Sequence, residues 1–256
     1  MKKFIKKKRL EKEDEEPIKK SLGFSKGGSE LYKYDKASEF EPVIGGDSNL
    51  DAIDDHIKKY LGDVDEVIHE IVSDAVHIDL HLVAPNIKNN FRILITSGMS
   101  DRPMHPPDRV KECQYAELML FLPSDWPLDK ESFKDNNVYW PIEQLRRLAR
   151  FPHKFNTWLW DGHTIPNYDP PSPYSDNTKL CCALLARPPL APPEFLILKS
   201  NDDLEINFFA LYFIYEEEME FKLEYGTEAL LQLFEENNIS EILDINRKNV
   251  CLENNQ

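Results

Sequence analysis

Apolar and polar residues alternate at the period of a strand over residues 76–83, where Val76, Ile78, Leu80 and Leu82 interleave with His77, Asp79 and His81. Residues 67–72 and 91–96 read as strands on either side. The turn-type residues between them, at 73–74 and 85–90, have lengths that suit antiparallel neighbours. A further strand is predicted over 115–122, with Ala116, Leu118, Leu120 and Leu122 on one face and Tyr115, Glu117, Met119 and Phe121 on the other. Three more follow at 180–186, 195–198 and 204–215, the first two separated by a proline-rich loop at 187–193.

The helical period appears elsewhere. Leu50, Ile53, Ile57 and Leu61 share a face, with Ser48 placed to cap the helix, Asp51 three residues on and Gly62 to stop it. Pro141 fits a first turn, and Ile142, Leu145, Leu148 and Ala149 make a stripe that Pro152 interrupts before Phe155, Trp158 and Leu159 resume it, so a helical pair is predicted. Residues 216–225 and 227–236 read as two short helices meeting at Gly226, and 239–250 as a last helical turn or edge strand. Without a regular βαβ alternation, the pattern predicts an α+β fold: a mixed, largely antiparallel sheet with helices packed on it.

Charge divides the chain of 256 residues unevenly. Residues 1–40 hold twelve Lys or Arg against eight Asp or Glu, and the remainder holds nineteen against thirty-eight. With its lysine run, acidic run and Gly/Ser stretch, residues 1–40 have the composition of a basic, flexible arm, leaving 41–256 as the folded domain. An acidic body repels phosphate backbones and attracts basic proteins, which speaks against nucleic acid as a partner. The longest apolar run, 208–215, is too short to span a bilayer, and no secretory h-region follows the first lysines. The four cysteines show no CxxC or other metal spacing, and Cys181 and Cys182 are adjacent in a strand candidate; a reduced, cytoplasmic setting is expected.

The row His77, Asp79, His81 carries the candidate chemistry. These are ligand types for a first-row metal, which His163 in particular, or His69, Asp101 or His105, would complete. Against a metal, the i, i+2, i+4 spacing along a strand lets one ion reach only two of the three without a bulge. The alternative is a solvated or hydrogen-bonded strand face. Thr96, Ser97, Ser100 and Asp101 surround Gly98 in a loop that reads either as an anion-binding nest or as a turn satisfying its own backbone. No GxGxxG, P-loop or GxSxG occurs, so nucleotide-binding and acyl-transfer folds lose their usual support, and no cofactor is called for.

Six blocks in order resemble the suppressor of fused domain family in its bacterial form: HEIVSDAVHIDLHLVAP (69–85), LITSGMSDRPM (94–104), YAELMLFLPSDW (115–126), YWPIEQLRRLARFPHKFNTWLWDGHTIPN (139–167), NFFALYFIYEEEMEFKLEYG (207–226) and DINRKNV (244–250). The resemblance covers most of 65–250 at the length of a single lobe, and residues 1–20 lie outside it. It implies a non-enzymatic protein-binding domain. Many bacterial members look like immunity proteins that neutralise polymorphic toxins, often nucleases, and a basic toxin domain suits the acidic body. Sequestration of a transcription factor is a further reading, and a metal-dependent hydrolase or metal sensor built on His77, Asp79, His81 and His163 is the reading from another class. The residues nominated for partner contact are His77, Asp79, His81, Ser97, Met99, Asp101 and His163.

Overall fold

The computed structural model describes residues 19–41, 49–70, 73–87, 89–199 and 204–252. Its chain order begins with β1 (Lys19–Phe24) and β2 (Glu30–Tyr34), then α1 (Leu50–Tyr60), β3 (Glu66–Ile68), β4 (Asp79–Val83), β5 (Phe91–Ser97) and β6 (Ala116–Pro123). It continues with α2 (Asn136–Lys154), β7 (Thr164–Pro166), β8 (Cys182–Ala186), β9 (Ile197–Lys199), β10 (Glu205–Ile214), α3 (Glu216–Tyr225) and α4 (Thr227–Glu236). The main sheet runs β3-β4-β5-β6-β10-β8-β7, with β9 paired to β10. All of these pairs are antiparallel except β6 with β10, so the sheet is mixed and largely antiparallel, as the sequence predicts.

Both faces of this sheet are covered, which is why its central strands carry apolar residues at every position. Leu80, Leu94, Leu118, Leu120 and Leu211 join Ile142, Leu145 and Leu148 of α2 in one core. Ile93, Ile95, Met119, Phe208 and Ala210 join Ile53 and Ile57 of α1 and Leu230 and Phe234 of α4 in the other. Each such Leu, Ile, Met or Phe side chain, fully buried, contributes about 1.5–3 kcal/mol. The alternation in 115–122 is therefore one of two apolar faces, with Glu117 inside the second.

Several elements depart from the sequence reading. The strand expected over 76–83 begins only at Asp79, because Ala75 takes a left-handed φ of 66° and Val76 bridges back to Asp74. The strand expected over 67–72 is the short β3, and residues 71 and 72 lie outside the described residues. Instead of a broken helical pair, α2 is one helix of 19 residues containing both Pro141 and Pro152. Proline removes a donor to the carbonyl four residues earlier. For Pro141 that carbonyl belongs to Asn137, and the Asn177 side chain donates to it at 3.0 Å. Beyond Lys154 the chain turns, so Trp158 and Leu159 do not extend the helix.

Residues 239–250 form neither helix nor strand beyond one bridge from Ile242 to Phe121. The two short helices do meet at Gly226, whose φ of 94° makes the corner. The expected cap at Ser48 lies outside the described residues, and Asn49 before α1 offers no side-chain cap.

Residues 19–34, inside the stretch whose composition predicts an arm, form an antiparallel hairpin, while 1–18 lie outside the described residues. The hairpin has somewhere to dock. Tyr34 packs edge-on to Phe151 with centroids 5.0 Å apart, and its hydroxyl meets Thr157 Oγ1 at 3.0 Å. At the turn, Gly27 N–H donates to the Leu223 carbonyl at 2.8 Å; a Cβ on Gly27 would lie 2.5 Å from Gly226 N, so only glycine fits this approach.

Candidate functional site

The His/Asp row lies where β4 and β5 emerge beside the loop containing Gly98. Asp79 is 2% exposed, and both its oxygens accept: Oδ2 from His69 Nδ1 at 2.8 Å, Oδ1 from His77 Nε2 at 2.9 Å and from Glu70 N–H at 3.1 Å. His77 also shares a hydrogen bond with Ser73 Oγ through its other ring nitrogen. Glu70 pairs with Arg150, and Arg146 donates to the Ile68 carbonyl at 2.9 Å, so α2 holds the end of β3 and the segment after it. A chain Ser73–His77–Asp79–His69 results, its last imidazole 68% exposed.

His81 points the other way. Its Nε2 meets Ser97 Oγ at 3.0 Å within the sheet, while Nδ1 stands 3.6 Å from Asp54 Oδ1 on α1, beyond hydrogen-bond reach. Burial lowers its pKa more than the charges of Asp54 and Asp79 raise it, so it sits neutral in the core. The i, i+2 relation thus separates the row: Asp79 serves the loop end, and His81 the space under α1.

The loop after β5 is built by glycine. Gly98 has φ 103°, and a Cβ there would lie 1.7 Å from the His77 carbonyl oxygen, so this contact between loop and row requires the missing side chain. The close approach sets Ser100 over Glu117 of β6. Ser100 donates from N at 2.9 Å and from Oγ at 2.7 Å to Glu117 Oε1, and Thr96 Oγ1 lies 2.5 Å from Oε2. With no cation bonded to it, Glu117 is pushed up to about 7 by burial, with a smaller push from Asp101. The Met99 carbonyl accepts from His153 Nε2 at 2.9 Å, and burial lowers His153 to about 4, so it stays neutral.

The seven nominated residues therefore divide. His77 and Asp79 are joined by a bond; His81, Ser97 and Met99 are buried at 3% exposure or less and have almost no surface to present; Asp101 is half-buried on the loop. His163 belongs to a different neighbourhood. Its ring is T-shaped on Trp158 at 4.4 Å, and burial, then the charges of Lys222 and Lys19, lower it to about 4. The four histidine and aspartate ligands imagined for a metal do not converge. Among the described residues no group of three or more His, Cys, Asp and Glu side chains is arranged to hold an ion. Sequence reasoning missed Glu70, Ser73, Arg150 and Glu117 as partners of the row and loop. Only Glu117 announced itself, as a carboxylate on a strand face shared with Met119 and Phe121.

Comparison with known proteins agrees with this architecture. The family model described as suppressor of fused protein (SUFU) matches residues 74–248, more than half of the chain. The uncharacterized protein UU111 of Ureaplasma parvum serovar 3 is 26% identical over 196 residues, spanning 75% of this chain and 90% of that protein. Among solved structures, a putative SUFU homolog from Neisseria gonorrhoeae FA 1090 superposes with a TM-score of 0.59 at 20% identity, over 82% of this chain and all of that one. Drosophila Suppressor of Fused gives 0.54 at 16% identity over 79% of this chain and 51% of its own length. A chain of the Sufu-Fu complex gives 0.53 at 14% over 82% of this chain and 93% of its own. No helix among the described residues is long and apolar enough to cross a membrane. By the extent of the family match, the chain belongs to the suppressor of fused family.

Proposed function

We propose that this chain is a non-enzymatic protein-binding domain, and that its partner is a toxin domain which it neutralises as an immunity protein in the cytoplasm. The observation that carries the reading is family membership over 74–248. The solved Sufu-Fu complex supports the general class of activity, since it joins a relative to another protein. The acidic body narrows the partner to one with a basic face, a basic nuclease domain fitting best, because complementary potentials accelerate encounter and disfavour acidic competitors. Within the nominated set the surface lies at the loop end of the row. There the partly open His77 and Asp101, joined by the exposed ring of His69 from outside that set, stand on a frame locked by Asp79, Glu70 and Arg150.

Co-expression with the toxin encoded beside it tests the reading. Growth is expected to be restored, and the purified pair to elute together in a complex that weakens with salt. Replacing His69 and His77 by Ala is expected to weaken the complex tenfold or more while the melting temperature changes little for His69→Ala. If no neighbouring gene product is bound or neutralised, the immunity reading falls; a DNA-binding protein recovered in its place would favour sequestration of a transcription factor.

A further inference from the structure

Adjacent residues of a regular strand point to opposite faces, so two consecutive cysteines ordinarily hold their sulfurs apart. Cys181 and Cys182 do not. They stand at the entrance to β8, where the Cys181 N–H bonds the Ile214 carbonyl at 3.0 Å, and both side chains join the same apolar cluster with their sulfurs 3.8 Å apart. A third sulfur completes the group: Met219, in the second turn of α3, brings Sδ to 3.4 Å from Cys182 Sγ. The cysteines are 4% and 0% exposed, and Met219 is the corner open to solvent.

The thiolate is the form of cysteine that binds metal, so both cysteine protons leave on binding.

We propose that Cys181, Cys182 and Met219 form a site for a soft monovalent cation, Cu(I). Two thiolates and a thioether are the donors that select Cu(I) over harder divalent ions. With metal–sulfur bonds of about 2.3 Å, a trigonal ion holds its sulfurs about 4 Å apart, close to the 3.8 Å between the two cysteine sulfurs and the 3.4 Å between Cys182 and Met219. Binding changes no oxidation state. Cu(I) forms bonds to both cysteine sulfurs and to the Met219 sulfur, the two thiol protons leave to solvent, and the local charge falls by one. The carboxylates of Glu216 and Glu217, whose fields reach Cys181, draw a cation toward the open side. Spacing rules for CxxC and histidine ligands overlook such a site, since one ligand lies on a helix 37 residues away and is a thioether.

The test is anaerobic titration of the reduced full-length protein with Cu(I) against a chromophoric Cu(I) chelator, with Ag(I) as a probe that undergoes no redox chemistry. One equivalent is expected to bind, releasing about two protons in weak buffer. A variant with Cys113→Ala and Cys251→Ala should bind as wild type does. Met219→Leu keeps apolar volume at a partly exposed position, so it should fold normally and bind at least about tenfold more weakly; Cys182→Ala should abolish the site. Unchanged affinity in Met219→Leu, or loss of binding in the Cys113/Cys251 variant, overturns the assignment even if the Cys182 variant fails to fold.

Discussion

Glu117 and Glu218 are both 0% exposed, and the fold holds them in opposite ways. Around Glu117 every bond comes from a neutral group: the Ser100 N–H and hydroxyl and the Thr96 hydroxyl. Around Glu218 the Arg247 guanidinium donates from both Nη atoms, the nearer of them at 2.5 Å, and Tyr215 N–H at 3.0 Å and Val250 N–H at 3.2 Å add to it. The second carboxylate thus has a counter-ion and caps α3 by reaching back to the residue before the helix. It also ties the irregular 239–250 segment to the core, with Arg247 donating further to the Phe213 carbonyl at 3.0 Å. Neutral donors leave a buried carboxyl close to its protonation point; an arginine supplies the charge that burial penalises. One arrangement responds to pH near neutrality, the other fastens a chain end.

The largest effect is expected from removing the geometry that makes the neutral arrangement possible. Gly98→Ala places a Cβ 1.7 Å from the His77 carbonyl at a φ of 103°, so the loop has to leave the row and withdraw Ser100 from Glu117. A loss above about 4 kcal/mol is expected in urea denaturation, with multiple mechanisms acting at once. A variant as stable as wild type would show that the loop does not depend on this approach. Next comes Arg247→Ala, which strands Glu218 as an uncompensated buried charge and costs about 3–5 kcal/mol. If the loss were under 1 kcal/mol, the clamp would be no more than a surface ion pair.

The two carboxylates also differ in how far the sequence reveals them. The double apolar alternation over 115–122 makes Glu117 conspicuous, since a charge between Tyr115 and Met119 on an inward face needs a partner. Its partners lie across strand pairs and a loop, which periodicity does not encode. The run of four glutamates at 216–220 reads as a response to the helix dipole, and that account covers Glu216 and Glu217 but conceals Glu218, the buried one. The strands, the α3–α4 corner and the mixed sheet follow from local pattern. The row misled because Ala75 ends the extended run: His77 leaves the strand while Asp79 and His81 enter a sheet covered on both faces. The hairpin at 19–34 was hidden by the charge and glycine of its surroundings, although Tyr34 supplies the side chain that docks it on Phe151 and Phe155.

The smallest of these effects at neutral pH, and the sharpest in form, comes from Glu117→Gln. Once the Thr96 hydroxyl turns its proton to the Leu118 carbonyl 3.4 Å away, Gln keeps both sides of the arrangement, its Oε1 accepting from Ser100 and its Nε2 donating to Thr96 Oγ1, as a protonated carboxyl does there. The folded pKa of Glu117 is raised from 4.5 to about 7, so its contribution is fully present below pH 4.5 and is lost as pH rises toward 7. His153, lowered to about 4, runs in the reverse direction and weakens the fold as pH falls from 6.5. Wild type alone therefore blurs the two, and the informative quantity is the difference between Glu117→Gln and wild type, in which His153 cancels. That difference is expected to start slightly unfavourable near pH 4, where the amide's second hydrogen lacks an acceptor. It should then move in favour of the variant by an amount on the order of 3 kcal/mol by pH 7.5 and become flat above it. Paired urea titrations every half unit of pH measure it. A difference that stays constant across this window would mean that Glu117 is ionised in the folded protein throughout, and that neutral donors alone hold a buried carboxylate as firmly as Arg247 holds Glu218.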